Sequence, residues 1–418
     1  MLQLFIMNIR ILAYPGEDWI RSKLRQTRCT PKGADIMSRK YGSWVIALDD
    51  VPFQAANIIK QEMLASDGEA AVSAGAVEGR VISSPVLLIA NSRQLDHFIE
   101  KLYNQPYGLP LLADSLKEVI ANIRKEKIIK LKDKVLDLST NKAHIMGIIN
   151  ATSDSFYAES RIDKSKISYH IQEMVNSGAD IIDIGAQATN PKAQLLSTEK
   201  ELEDLMPVVE ICKKEFHIPV SIDTFRPKVA EEAVKQKVDM INDVSNLSDI
   251  SILDSIKDTD TYYILTHNRG PMQNMDKEKY ATYRNTVSEV YSELESSVKR
   301  YREHGASPDR LILDIGLGFA KNIENNVLLL NNLRAFEAMG LPMLVGHSRK
   351  RFIGSISGTP QPEDRLSGSL AVMGYAYQKG ARLFRVHDVL ECRRYLNSLE
   401  ALRDGELINN ADFEEYQN

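Results

Sequence analysis

Eight short apolar runs, each closing on polar side chains, constrain this chain more than any other feature. They are Ile145 to Asn150, Ile181 to Gly185, Val220 to Asp223, Met240 to Asp243, Tyr263 to His267, Leu311 to Asp314, Met343 to His347 and Leu383 to His387. Helix-length segments separate them, the signature of a parallel sheet with helical crossovers. Eight such units in succession predict a (β/α)8 barrel. A doubly wound sheet also alternates in this way, but it rarely places polar residues at every strand end. In a barrel the strand C-termini converge on one face, where active sites form.

The converging residues are Asn150, Asp183, Asp223, Asn242, His267, Asp314, Ser348 with Lys350, and Arg385 with His387. Arg385 and His387 alternate along a strand and so share a face. An arginine inside an apolar strand is costly unless paired, which favours a functional reading. Ser348-Arg349-Lys350-Arg351 adds three cations in a row, although Lys350 alone reads equally well as a solvated surface lysine. Arg forks and positioned imidazoles suit an anion. Asp223, Asn242 and Asp314 make a polar floor of donors and acceptors, suited to a flat heterocycle with N–H and C=O edges. The Asn150 amide is a candidate for ligating Mg²⁺ or for hydrogen-bonding a phosphate, and equally for a turn. Asp314-Ile315-Gly316-Leu317-Gly318 has a GxG core without the full dinucleotide fingerprint, so it predicts a tight loop that lets backbone approach a ligand. His267 alone reads more readily as structural than catalytic.

At 418 residues the chain predicts two domains. The expected division is an α/β or α+β N-terminal extension over residues 1–140, the barrel over 141–400 and an acidic tail over 401–418. In the extension, Pro52 starts a helix over Phe53 to Leu64, and Ser84 to Ala90 reads as a buried strand. A helix capped by Asn91 or Ser92 presents Leu95, Phe98, Ile99 and Leu102, and another follows from about Leu112 to Ile123. The lysine-rich stretch from 125 to 143 reads as a linker or a solvated strand pair. The first ten residues read as a strand rather than a signal peptide. A net charge of -5 argues against nucleic acid as the main partner. Three cysteines without metal spacing fit a reducing compartment. No run approaches the ~20 apolar residues that cross a bilayer, so the cytoplasm is expected.

At these residues the chain resembles the dihydropteroate synthases. The strings that carry the resemblance are Met146-Gly147-Ile148-Ile149-Asn150 with Asp154-Ser155-Phe156; Asp183-Ile184-Gly185 with Thr189 and Pro191; Ser221-Ile222-Asp223-Thr224; and Ile241-Asn242-Asp243-Val244. Three more follow: Asp314-Ile315-Gly316-Leu317-Gly318-Phe319; Gly346-His347-Ser348-Arg349-Lys350 with Phe352-Ile353-Gly354; and Arg385-Val386-His387-Asp388-Val389. Residues 1 to about 140 lie outside this core and resemble an extension found on some bacterial and archaeal members.

The resemblance implies a TIM barrel, usually dimeric, that joins 4-aminobenzoate to 6-hydroxymethyl-7,8-dihydropterin diphosphate and releases diphosphate. It implies that Asp223, Asn242, Asp314 and Lys350 hold the pterin. Asn150 would bind Mg²⁺ with the diphosphate, and Arg385 and His387 would grip the phosphates. Asp183 would stabilise positive charge developing on the pterin methylene. Ser348 and Lys350 would border the aminobenzoate site, and Thr189 would be a further substrate contact.

The departures fall in the loops after the first two strands. Ser153 stands where proline is common, Gln187 replaces a glutamate, and Asn190 replaces an arginine that Lys192 could replace functionally. Two rivals stay open. Another pterin-binding barrel, such as a methyltetrahydrofolate:corrinoid methyltransferase, has no need of the diphosphate cations. A non-catalytic binding homologue is favoured by Gln187 and Asn190 but not by the retained strand ends.

Overall fold

A computed structural model describes residues 30–40, 42–151, 157–158, 161–162, 164–186, 196–270 and 278–404. The chain divides into two compact units, residues 1–120 and 121–418. The readings of the first ten residues and of Thr189 lie outside the described residues, as do those of Ser153, Gln187, Asn190, Lys192 and most of the C-terminal tail.

The first unit is a three-stranded antiparallel sheet with helices. Its strands are β1 (Trp44–Pro52), β2 (Glu69–Val72) and β3 (Ser83–Ala90), in spatial order β1-β3-β2. Helices α1 (Pro31–Ser38), α2 (Phe53–Leu64) and α3 (Ser92–Leu102) accompany them, and α4 (Leu109–Arg124) leads out of the unit. The sheet pleat sends Val86 and Leu88 inward to meet Ile59 and Met63 of α2 and Phe98 and Leu102 of α3. Asn91 caps α3 in a reciprocal box with Gln94, which satisfies two backbone donors left open at a helix start.

The lysine-rich stretch is a strand pair, β4 (Ile128–Lys130) against β5 (Val135–Asp137). Its alternation buries Ile129, Leu131, Leu136 and Leu138, which cluster with barrel residues Met146, Ile181, Met240, Ile264, Ile312, Leu344 and Leu383. The hairpin therefore plugs the barrel's N-terminal end with apolar side chains, while Lys130 and Lys132 stay exposed and Lys134 pairs with Asp180 at 2.7 Å.

Eight parallel strands close the barrel. They are β6 (His144–Asn150), β7 (Ile181–Gly185), β8 (Val220–Asp223), β9 (Met240–Asp243), β10 (Tyr262–Thr266), β11 (Leu311–Asp314), β12 (Met343–Gly346) and β13 (Leu383–Val386). Each pairs with the next in sequence, and β13 returns to β6. The sequence expectation of a (β/α)8 barrel preceded by a smaller α/β or α+β unit is met, the antiparallel sheet making the first unit α+β, with strand bounds differing by a residue at some ends. Around it lie α5 (Lys164–Asn176), α6 (Thr198–Glu215), α7 (Pro227–Lys235), α8 (Thr286–Glu303), α9 (Ile323–Asn331), α10 (Arg351–Ser357), α11 (Leu366–Gln378) and α12 (Val389–Asp404). The β9 to β10 connection uses a 3₁₀ helix, Ile250–Ser255, instead of a full helix. Among the described residues no helix is long and apolar enough to cross a membrane.

Candidate active site

Barrel closure brings Arg385 of β13 to two carboxylates far away in sequence. Its Nε donates to Asp183 Oδ2 at 2.6 Å, and a terminal nitrogen donates to Asp223 Oδ2 at 2.7 Å. Asp183 is fully buried and Asp223 nearly so. Asn242 Nδ2 reaches the same Asp183 oxygen at 3.3 Å. The other oxygen of Asp183 and the amide oxygen of Asn242 are buried without a partner. Unpaired buried acceptors cost about 1–3 kcal/mol each, so these atoms mark where a ligand would supply donors.

The second half of the cluster forms around Gly346. A Cβ built there would lie 3.2 Å from Asp314 Oδ2 and 4.0 Å from both Lys350 Nζ and Arg385 Cβ. A side chain at 346 would thus fill the space that these three groups share. Asp243, by contrast, turns away: it accepts from Ser245 N at 2.7 Å and Leu247 N at 3.0 Å, and takes the Tyr263 hydroxyl. It holds a turn and belongs to no pocket.

The three-cation string is sorted by one strained residue. Arg349 has φ 56, in the left-handed region that L-residues avoid at a cost of about 1–2 kcal/mol. Its guanidinium is bound to Asp388, with Nε at 3.0 Å from Oδ2, and its N–H donates to Ser369 Oγ at 3.0 Å. The turn therefore points Arg349 away and leaves Ser348 and Lys350 to face the site. Lys350 donates to Leu317 O and stands 4.2 Å above the Phe319 ring. Ser348 Oγ accepts the His387 N–H at 3.2 Å and lies 3.1 Å from His387 Nδ1. The hydroxyl can also donate to Nδ1, and in that tautomer the His387 proton sits on Nε2.

Burial and crowding shift the charges. Burial pushes the Asp223 carboxyl up to about 7, reinforced by Asp183, Glu201 and Asp243 and opposed by Arg385. The shift is upward because one guanidinium faces several carboxylates. Burial raises Asp314 against the pull of Lys350. It lowers Lys350 to about 8, with Asp314 opposing. Burial, then the Arg385 and Arg349 charges, lower His387 to about 4, which favours the neutral imidazole.

The expectation of Mg²⁺ held by Asn150 is corrected. Among the described residues, no group of three or more His, Cys, Asp or Glu side chains could hold a metal ion. The carboxylates at the pocket are instead engaged by Arg385 and by backbone N–H groups. Asn150 sits exposed at the end of β6 and is assigned no metal.

Sequence reasoning missed two buried supports. Glu201 of α6 accepts hydrogen bonds from the Thr224 hydroxyl at 2.6 Å and from Arg226 Nη1 at 2.5 Å, bracing the end of β8 from behind. Nothing in a helical run of charges marks one glutamate as buried. Lys321 closes the loop after β11, in a string read only for its glycines.

A family model described as pterin binding enzyme matches residues 146–387, more than half of the chain. The dihydropteroate synthase of Escherichia coli is 38% identical over 270 residues, 64% of this chain and 93% of the relative. A bifunctional dihydropteroate synthase/dihydropteroate reductase of Helicobacter pylori is 30% identical over 377 residues, 90% of this chain and 94% of the relative, so that match extends into the first unit. Among solved structures, dihydropteroate synthase from Thermus thermophilus in complex with 4-aminobenzoate superposes with a TM-score of 0.59 at 36% identity, covering 66% of this chain and all of that one. The chain belongs to the dihydropteroate synthase family of pterin-binding enzymes, with an additional unit before the barrel.

Proposed function

We infer that the chain joins 4-aminobenzoate to 6-hydroxymethyl-7,8-dihydropterin diphosphate, giving dihydropteroate and diphosphate. The observation that carries this reading is the buried cluster of Arg385, Asp183, Asp223, Asn242, Asp314 and Lys350, with two acceptor atoms left unpaired. A pterin presents adjacent N–H donors and one carbonyl, matching carboxylates, an amide and an ammonium. We assign Asp223, Asn242, Asp314 and Lys350 to the pterin, Arg385 and His387 to the diphosphate, and Ser348 to the aminobenzoate edge.

In the reaction the methylene C–O bond breaks and its electron pair leaves with diphosphate. Arg385 and the Nε2–H of His387 stabilise the departing charge, and the Asp183 carboxylate faces the electron-poor methylene. The amine lone pair of 4-aminobenzoate forms the C–N bond, and the nitrogen loses its proton afterwards. No strong general base is needed. Incubating the protein with both substrates and following dihydropteroate and diphosphate tests the reading; folded protein that forms neither would overturn it.

The shifted groups give a pH profile. Asp223 accepts pterin N–H groups when ionised, above about 7, and Lys350 donates when protonated, below about 8. The kcat/KM for the pterin diphosphate is expected to trace a narrow bell between these values, and Asp223→Asn to remove its acid limb. A flat wild-type profile across this range would sink the assignment.

We also propose a homodimer. Ile323, Val327, Ile356 and Tyr375 are exposed on α9, α10 and α11, an apolar surface that a second copy would cover. A monomer mass by light scattering at micromolar concentration would count against it. A cytoplasmic location fits the free buried thiols Cys212 and Cys392, and cell fractionation checks it.

A further inference from the structure

A buried polar network runs behind the loop that joins β11 to α9. Lys321 Nζ lies 2.8 Å from His267 Nδ1 and donates to the carbonyls of Gly316 at 2.9 Å and Phe319 at 3.0 Å. With the ammonium as donor, Nδ1 is the bare ring nitrogen, so His267 carries its proton on Nε2 and gives it to Glu293 Oε2 at 3.0 Å. Glu293 also takes Arg269 Nε at 3.0 Å. The Arg269 guanidinium lies 3.8 Å from the centre of the Tyr283 ring, and the Tyr283 hydroxyl donates to Ala320 O at 3.1 Å. The chain of contacts thus returns to the loop it left.

That loop orients two groups assigned to the pterin. The Gly316 N–H donates to Asp314 Oδ1 at 2.8 Å, and the Leu317 carbonyl takes the Lys350 ammonium. Lys321 holds Gly316 and Phe319 from the other side, so the Gly316 residue is fixed at both its N–H and its C=O. The geometry leaves no slack there: Gly316 has φ +66, and a Cβ on it would fall 1.8 Å from His267 O. The ionisable groups facing the Lys321 ammonium are His267, Asp314 at the strand end, Lys350 from the next loop, Glu293 from α8 and Arg269. Burial pushes Lys321 well below the usual lysine range and His267 down to about 4. A buried ammonium is costly to keep where an apolar chain would fill the same space, unless its hydrogen bonds are used.

We propose that Lys321 is a positioning residue that holds the 316–319 backbone so that Asp314 and Lys350 meet the pterin in register. This rests on the reading of Asp314 and Lys350 as pterin contacts. In Lys321→Met the KM for the pterin diphosphate is expected to rise about tenfold, with kcat and the KM for 4-aminobenzoate within about twofold of wild type. Glu293→Gln keeps the shape and loosens His267 and Arg269, so it should raise the same KM by about threefold; it carries the test if Lys321→Met does not fold. Asp314→Asn, measured alongside, separates the two levels. If Asp314→Asn raises the pterin KM and neither network variant does, or if they raise both KM values equally, the positioning role is wrong. If Asp314→Asn leaves the pterin KM unchanged, the pterin assignment itself fails and takes the positioning role with it.

Discussion

An Arg385→Ala variant is expected to lose about 3–5 kcal/mol of stability at neutral pH, because it strands two buried carboxylates that one guanidinium now neutralises. Asp183 loses a partner at 2.6 Å and Asp223 one at 2.7 Å, and both carboxylates are buried. The loss should depend on pH. The Asp223 carboxyl already sits up at about 7, and removing the arginine raises it further. A carboxyl whose folded pKa exceeds its unfolded value favours the fold at low pH, and that contribution fades as pH rises through the folded pKa. Thermal unfolding should therefore show a larger deficit at pH 8 than at pH 6, and the opposite trend would reject the ion-pair account. Activity should fall by about three orders of magnitude in kcat/KM, since the charge-assisted hydrogen bonds to the leaving diphosphate that we propose for Arg385 would be lost. Calorimetry is the sharper readout: affinity for the pterin diphosphate should drop much further than affinity for the bare pterin. Equal losses would show that Arg385 shapes the pocket and grips no phosphate. Arg385→Lys should rescue little, because one ammonium cannot span two carboxylates in different directions.

How much of this could be read from the chain follows from what is local. The eight strand ends were legible because β-branched runs and polar stops are properties of four to seven consecutive residues, and Asp223, Asn242 and Asp314 fall where those runs stop. The barrel then fixes their convergence. What Arg385 bonds to was not legible. Its partners lie 162 and 202 residues away, and only barrel closure, with β13 pairing β6, brings them into reach. Nor could the string Ser348-Arg349-Lys350 say which cation faces inward; that depends on the left-handed turn at Arg349 and on Asp388. The Mg²⁺ expectation failed for a related reason. An amide at a strand end says nothing about whether neighbouring carboxylates are free, and here they are taken by an arginine from across the barrel. Lys321 had a weak signal, a lysine directly after a glycine-rich strand-end loop, but its burial against His267 is a fact of packing.

Asp183→Asn should separate holding the substrate from promoting its reaction, with kcat expected to fall by about 10²–10³ and the KM for the pterin diphosphate to change little. The carboxylate is fully buried, and its Oδ2 already serves Arg385 and Asn242. Its Oδ1 has no partner, and leaving such an atom bare costs about 1–3 kcal/mol. A group needed only to anchor Arg385 would gain from a neutral, fully bonded neighbour there. A charge that must face a cation forming during C–O cleavage would not. Asparagine keeps the size and can still accept from Arg385 through its one oxygen, while the negative charge that we propose faces the methylene is removed. The ring is neutral in the ground state and positive only as diphosphate leaves, so the lost attraction is felt in the transition state and hardly in binding. Single-turnover measurements with saturating 4-aminobenzoate isolate that step. If Asp183→Asn instead raises KM as much as it lowers kcat, then Asp183 acts through Arg385 on the phosphates, and the methylene cation must be stabilised by some other group.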